Sequence, residues 1–553
     1  MQELLRIFKV YFDFHTKKYA CFFRFDKKIA LYYLLYKNYY YLCDIKTYQL
    51  HIIFIMKTQS NIFFIALLLA GAFTASCSRQ APEPLPYPND GVLTPHQQEA
   101  VGRMPRVVVM TDAETDDRCS MVHFLLYSND MEVAAIIQSN SCYQRHGWSS
   151  EPWLAEQLDA YEKVYPNLKV HDPNYPTPDY LRSVVYIGDE NPEHVQLDGH
   201  VTRYLLPGAE PVIDPTDWPD TPGSDRIVEL LTDDDPRPVY LQAWGGMNTA
   251  AKALQKIKTQ YPDKYEAACR KAVLYCIWYQ DAGGSYIERH HPGVTILLSH
   301  HFSGSWDYGT MTSSDNIVRD YMHNGKNPLG ACYTQPLISE GDSPSFLYSI
   351  NNGLRSYEDP TYGGWGGRFY KVDGYENVYR DTGFGELREW LENCMHDFET
   401  RLTWCYTPRR EDANHAPEVA VEGPLDRTVH SGDTIHLRAK VVDNDPINID
   451  EMWKLYGDMW EQHGIKKSEV KRLAAEDPAT AAARYGGTTS NWYMYRGGTY
   501  QGIIDLLFQP DGSLKVVAPK VRRRETFHIV LEASDKAVPR LNTYRRFIIT
   551  VEP

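Results

Sequence analysis

A chain of 553 residues, 43% of them hydrophobic and 23% charged, has room for two or three domains with sizeable cores and is not a wholly disordered protein. Its formal net charge of -15 excludes a nucleic-acid partner held through phosphates but leaves neutral sugars open. Aromatic residues reach 13%, and their rings either stack on sugars or fill ordinary cores.

Residues 1–55 are built almost entirely from Phe, Tyr, Lys, Leu and Ile, without the Pro, Gly and Asp that punctuate the rest. They read as upstream sequence translated in frame, with the start at Met56. From Met56 the pattern is that of a secretory signal: Lys57, then the apolar run Ile62 to Ala70, then small residues and Cys77. Thr74-Ala75-Ser76-Cys77 resembles a bacterial lipobox, so lipidation is expected at Cys77, with ordinary signal-peptidase cleavage near Ala75 as the alternative. Residues 78–105, with Pro82, Pro84, Pro86 and Pro88, read as an extended tether. The expected location is therefore the cell envelope, exported and attached to the membrane only through a lipid. Export permits disulfides, and Cys394 with Cys405 or Cys119 with Cys142 are candidate pairs; the absence of any Cys-x-x-Cys argues against zinc.

Residues 106–408 alternate strand and helix. Val107–Met110 is an apolar run of the kind found in buried parallel strands. It ends in acid, with Asp112, Glu114, Asp116 and Asp117 within six positions, and a helix follows to about Ser128. Carboxylates so close repel one another, and a hard divalent cation such as Ca2+, held by oxygen ligands, offsets that repulsion best. The plainer reading is a solvated turn capping the helix through Asp116 or Asp117.

Further strands are expected at Met131–Ile137, Pro238–Ala243, Ala272–Trp278 and Val294–Leu298, with helices at Trp153–Tyr165 and Met247–Ile257. Alternation of this kind predicts a mostly parallel sheet with helices on both faces, all strand C-termini on one edge. That edge collects the acidic turn, Asn140, Trp244 with Asn248, and Gln280 with Asp281. Singly these are turn or cap residues; together they mark a cleft.

Glycines around Trp365, in Tyr362-Gly363-Gly364-Trp365-Gly366-Gly367, allow tight turns beside an aromatic ring. Trp365 fits a sugar-stacking rim and fits equally a plug inside a structural loop. A long helix is expected over Leu387–Thr403, and residues 409–417 read as a linker. From residue 418 the pattern turns to short strands of period two: Val419–Val421, Thr434–Val441, Leu514–Val517, Thr526–Ala533 and Arg546–Val551. They predict an immunoglobulin-like β-sandwich over residues 418–553, without its disulfide and with a charged, helix-like insertion at about 450–490.

The order Asp112-x-x-x-Asp116-Asp117 after a first strand resembles the metal motif of the nucleoside hydrolase superfamily. The whole chain, with Trp492-Tyr493-Met494-Tyr495-Arg496-Gly497-Gly498 in its last part, resembles bacterial cellulose-binding proteins that join a nucleoside hydrolase-like domain to an immunoglobulin-like one. The resemblance implies that Asp112, Asp116, Asp117, the Trp244 carbonyl and Asp342 hold calcium. It further implies that Asp112 activates water and that Asn140 contacts the sugar. Glu114, Asn248, Asp281 and Trp365 are the further substrate-binding candidates. Two departures stand out: Glu114 replaces the motif's usual Gly, and Gly341 stands where a His often precedes the late Asp and helps the leaving base depart. The tandem pairs His290-His291 and His300-His301 could replace that His, but surface or cap roles suit them better.

The sequence thus predicts a hydrolase acting on N- or other glycosyl bonds of a nucleoside or glycan, or a lipoprotein that binds carbohydrate, including cellulose or other plant polysaccharide, without cleaving it.

Overall fold

The computed structural model describes residues 104–196, 213–302, 314–381, 383–445, 449–477, 480–481, 485 and 487–553. Cys77, the signal segment and the tether lie outside them.

Strand β1 (Arg106–Thr111) is buried at every position, and its alternate side chains enter two different cores. Val107 and Val109 face a core shared with α1 (Thr115–Leu126), α2 (Trp153–His171), α6 (Ser343–Ser349) and α7 (Leu391–Trp404). Val108 and Met110 face one shared with α3 (Pro222–Thr232), α4 (Asn248–Gln260) and α5 (Gly283–His290). A strand covered on both faces has no polar alternation to show, hence the unbroken apolar run.

The other strands of this sheet are β2 (Glu132–Gln138), β3 (Val185–Ile187), β4 (Val239–Ala243), β5 (Ala272–Ile277), β6 (Thr295–Ser299), β7 (Tyr370–Lys371) and β8 (Val378–Arg380). Their order is β3-β2-β1-β4-β5-β6-β8-β7, parallel except for β7 against β8. The chain leaves β1 toward β2 and β3 and returns on the other side of β1 at β4. The crevice outside the C-terminal ends of β1 and β4 is therefore a topological switch point, where open α/β sheets place their ligands.

The five expected strands are present within one or two residues of their predicted ends; β3, β7 and β8 are additional and short. Helix α2 runs past Pro166 to His171, because buried Leu168 and His171 continue its packed face. The helix expected over Leu387–Thr403 is broken into Phe384–Arg388 and α7, where Trp390 turns its ring against Tyr495 and Tyr544. No disulfide joins the two candidate pairs: Cys119, Cys142, Cys394 and Cys405 are all free. Cys394 lies in α7 and Cys405 caps it, so the helix separates them by about 16 Å, far beyond disulfide reach.

The last part is a β-sandwich. One sheet has the order β10-β17-β16-β13 (Asp426–His430, Asn542–Glu552, Glu525–Ser534, Thr489–Tyr495), antiparallel apart from β10 beside β17. Facing it are β11-β15-β14 (Thr434–Leu437, Leu514–Val517, Leu506–Phe508) and the pair β12-β9 (Ala439–Val442, Glu418–Val421). Phe527, Ile529, Leu531, Phe547 and Ile549 fill the space between. The run expected as one strand over Thr434–Val441 divides at Arg438 into β11 and β12, which belong to different sheets. Two helices, α8 (Ile449–Gln462) and α9 (Lys467–Glu476), occupy the predicted insertion.

The sandwich is locked to the α/β part by buried polar contacts. The backbone of Asn352 and Gly353 accepts from Tyr544 and Arg546 of β17. Fully buried Arg546 donates to the carbonyls of Tyr362 and Gly363. Arg355 bridges Glu358 and Asp426. The residues read as a linker are docked too, with His415 stacked on Trp404 and within 3.1 Å of His171.

Candidate functional site

The turn from β1 into α1 is folded back on itself. Ala113 has φ 62°, a left-handed conformation that reverses the chain directly after the strand. The Thr111 hydroxyl and the Asp112 backbone N–H both donate to Oδ1 of Asp117, at 2.5 and 3.1 Å. The Glu114 N–H donates to Oδ1 of Asp112. Oδ2 of Asp112 is buried without a hydrogen bond of normal geometry, and the Ser141 hydroxyl faces that carboxyl. Neither Asp116 nor Asp117 caps α1; Glu114 holds the N-cap position and makes no side-chain cap bond.

Asp342 reaches the same place from a distant loop. Its N–H donates to the Ser120 hydroxyl, and that hydroxyl lies 3.5 Å from its Oδ2. One oxygen each of Asp116, Asp117 and Asp342 lies within 4.8 Å of the others, all three residues being buried. Asp112 stands beside this triad rather than in it. The loop is clamped onto α1 by a buried pair, His123 Nδ1 to Glu340 Oε2 at 2.6 Å. Glu340 also accepts from Tyr333 and Ser343, and the His123 ring stacks on Phe398 at 3.6 Å. Asp116, Ser120 and His123 form a polar stripe at positions i, i+4 and i+7 of α1. That stripe was the sequence signal for this clamp.

Burial first, and then the neighbouring carboxylates, push these acids upward. Asp117 is raised well above the usual range, Asp116 to about 6 and half-buried Glu114 to about 7. Asp112 is raised by burial against four opposing hydrogen bonds. The three converging carboxylates form a hard, all-oxygen donor set that a divalent cation fits.

The ends of the neighbouring strands complete the rim. Gly245 presses against Asp112, for a Cβ there would stand 2.7 Å from the Asp112 Cβ. Gly246 donates to the Asn140 carbonyl. Asn140 spends its Nδ2 on the Arg145 carbonyl and Asn248 its Nδ2 on that of His194. Gln280 gives its Nε2 to the Trp244 carbonyl. What each keeps unpartnered is an oxygen: Asn140 Oδ1, Asn248 Oδ1 and Gln280 Oε1, like Asp112 Oδ2, are buried acceptors without a hydrogen bond of normal geometry. They stand after β2, β4, β5 and β1, and Gln280 was the one left out of the sequence-predicted binding set.

Several expectations need correction. Trp365 is not a rim residue; it is 3% exposed and packs edge to face on Tyr544 of the sandwich, the plug rather than the platform. Asp281 is not free to accept from a substrate. Its two oxygens accept from the N–H groups of Met247, Asn248 and Gly283, so it caps α4 from outside the helix. Burial holds it at about 7 despite those bonds. Asn248 is accordingly not the cap. The Trp244 carbonyl is already taken once, by Gln280, with one lone pair remaining. His291 is buried against Tyr265, and His290 stacks on Tyr286. His300 and His301 are held through their backbone N–H groups by Asp381.

A parallel sheet with acids at its switch point, opposite a late Asp loop, defines a nucleoside hydrolase-like α/β protein. Residues 106–369 match the family described as "Cellulose-binding Sde182, nucleoside hydrolase-like domain", and residues 487–551 match "Cellulose-binding protein Sde0182, C-terminal domain". The chain belongs to this family. It is also similar to a solved nucleoside hydrolase-related protein from Saccharophagus degradans, described as associated with carbohydrate metabolism. That likeness has 25% identity and a TM-score of 0.64, and covers 81% of this chain and 100% of the other. The effector protein XOO4466 (11% identity, TM-score 0.31) and the type III effector XopQ in complex with adenosine diphosphate ribose (10%, 0.30) each overlap 57% of this chain and 98% and 99% of their own. No curated protein matches it.

Proposed function

We propose that the protein is a metal-assisted hydrolase of a glycosidic bond, acting on a glycan or nucleoside. The observation carrying this reading is the rim of four buried oxygens without a hydrogen bond of normal geometry beside the Asp116, Asp117 and Asp342 triad. Sugar hydroxyls are donors, and a row of acceptors beside a cation site matches a polyol better than any apolar ligand. A bound Ca2+ would supply Lewis-acid activation of water and hold neighbouring hydroxyls. Asp116, Asp117 and Asp342 would hold it, with the free lone pair of the Trp244 carbonyl as a further donor. Asp112 Oδ2 takes the proton of the attacking water, its other oxygen being anchored on the Glu114 N–H. Asn140, Asn248 and Gln280 orient the sugar for attack through an oxocarbenium-like state. Glu114, whose carboxyl stands at about 7, supplies a neutral or charged contact at the mouth.

The test is release of base or reducing sugar from nucleosides and cello-oligosaccharides, by wild type and by Asp112→Asn, with calcium affinity measured in both. Loss of turnover at unchanged calcium affinity supports the assignment. Equal turnover in the variant removes Asp112 as the base.

A second reading is retention of carbohydrate, including cellulose, without cleavage. Gly341 favours it, since no acid occupies the position that would help a leaving group depart. The names of the matching family and the description of the Saccharophagus protein also support it. Pull-down on insoluble cellulose with no product released would establish it. Under both readings the chain acts in the cell envelope, anchored through Cys77.

A further inference from the structure

A cavity of about 620 Å³ lies between the α/β part and the sandwich. Its first wall comes from Asp130, Asp397 and Arg401, its second from Glu418, Lys440 and Arg545. Asp130 precedes β2, so this wall is at the edge of the sheet opposite the acidic triad. We infer that this interdomain cavity is a second binding site, for a neutral saccharide of two or three units, separate from the acidic cleft.

Volume, charge and one unpartnered group point to that class. Cavities of 300 to 1,000 Å³ are the usual size of small-molecule sites. The charged side chains on the wall cancel. Arg401 sits between Asp130 and Asp397, at 2.7 Å from each. Arg545 and Lys440 are offset by Glu418 and by the excess carboxylate of that triplet. A wall with no net charge disfavours phosphates and cations and suits a neutral ligand rich in hydroxyls. The lining mixes polar and apolar groups, as a sugar's hydroxyls and ring faces require: the Asn351 and Asn352 amides and Thr543 lie beside Ile350, Trp365 and Val442.

Asn542 supplies the specific anchor. It is 8% exposed, lines the cavity, and has its Oδ1 taken by the Ser534 hydroxyl, while its Nδ2 has no partner. Arg545 donates only to the carbonyls of Tyr544 and Val419, and burial without a facing carboxylate pushes its guanidinium down to about 10. Both are donors, and both need the lone pairs that ring and hydroxyl oxygens bring. A ligand here touches both domains at once, so binding also ties the sandwich to the α/β part.

The experiment is calorimetric titration of the full chain with cellotriose in the Asp117→Asn background, which disables the proposed cation site. The expected result is binding that Asn542→Leu and Asn351→Trp each weaken at least tenfold. Asn542→Leu removes the buried donor; Asn351→Trp blocks the mouth from an exposed position and does not disturb the core. No cellotriose binding in the Asp117→Asn protein, binding indifferent to both added changes, or preference for trigalacturonate over cellotriose would each overturn the inference. Failure here leaves the catalytic reading untouched, and failure of Asp112→Asn to lose turnover leaves this site untouched.

Discussion

Gly341 faces Asp116 so closely that a Cβ built on it would stand 2.4 Å from Oδ2 of that carboxylate. The departure from the nucleoside hydrolase pattern at this position is therefore built into the site. A His here would have to displace the Asp116 carboxylate from the triad.

Replacing Gly341 by Ala should accordingly push Asp116 aside and weaken calcium binding about 10- to 100-fold, the usual cost of disturbing the groups that place a ligand. Calcium titration of wild type and Gly341→Ala measures it. An unchanged affinity would remove Asp116 from the ligand set.

Asp117 is pushed up by burial and by Asp112, Asp342 and Asp116. Asp117→Asn keeps an acceptor for Thr111 and for the Asp112 N–H while deleting one charge. In chelator the variant should be at least as stable as wild type. In calcium at about 100 times Kd, wild type should gain about 2.7 kcal/mol and the variant almost nothing. Thermal unfolding with and without calcium checks both arms, and equal gains would rule out a cation held by Asp117.

His528, buried in β16, is held neutral: burial above all, then Arg546, Arg355 and Arg368, push it down to about 3. Unfolded, it titrates near 6.5, so between those values the unfolded chain binds the extra proton. Stability from this residue therefore falls as pH drops below about 6.5, by at most about 1.4 kcal/mol per pH unit. His528→Gln should lose on the order of 2 kcal/mol less than wild type between pH 7 and pH 5 in urea unfolding. Parallel curves would mean that His528 stays accessible to protons in the fold.

Arg355 is 5% exposed and pairs with Glu358 at 2.6 Å and with Asp426 of the sandwich at 2.7 Å. Arg355→Ala leaves two carboxylates facing each other at the domain junction. With Asp426 partly exposed to water, it should cost about 1 to 3 kcal/mol, and wild-type urea stability in the variant would mean that the junction does not depend on this bridge.

Cys77 belongs to the segment outside the described residues. If it is the lipidated residue, Cys77→Ala should abolish incorporation of labelled palmitate and release the protein from the membrane fraction. Continued labelling would place the anchor elsewhere.

The resemblance of Asp112-x-x-x-Asp116-Asp117 to a family motif was readable directly, as were five strands of the parallel sheet and the change to β-structure at residue 418. Those signals are local: an apolar run, a cluster of charge and a period of two each declare themselves within a few residues. Residue 342 was reachable through the same resemblance, and the fold brings it beside Asp116 and Asp117. The roles of Asp281 and Trp365 were not readable, because each depends on partners far away in the chain. An acid before glycines is the same in sequence whether it meets a substrate or the N–H groups of Met247 and Asn248, and a Trp among glycines is the same whether it meets water or Tyr544. Burial and partnership arise only when the sheet and the sandwich close on one another. That closure also decided which oxygens were left unsatisfied at the strand ends, and so where a ligand has something to bind.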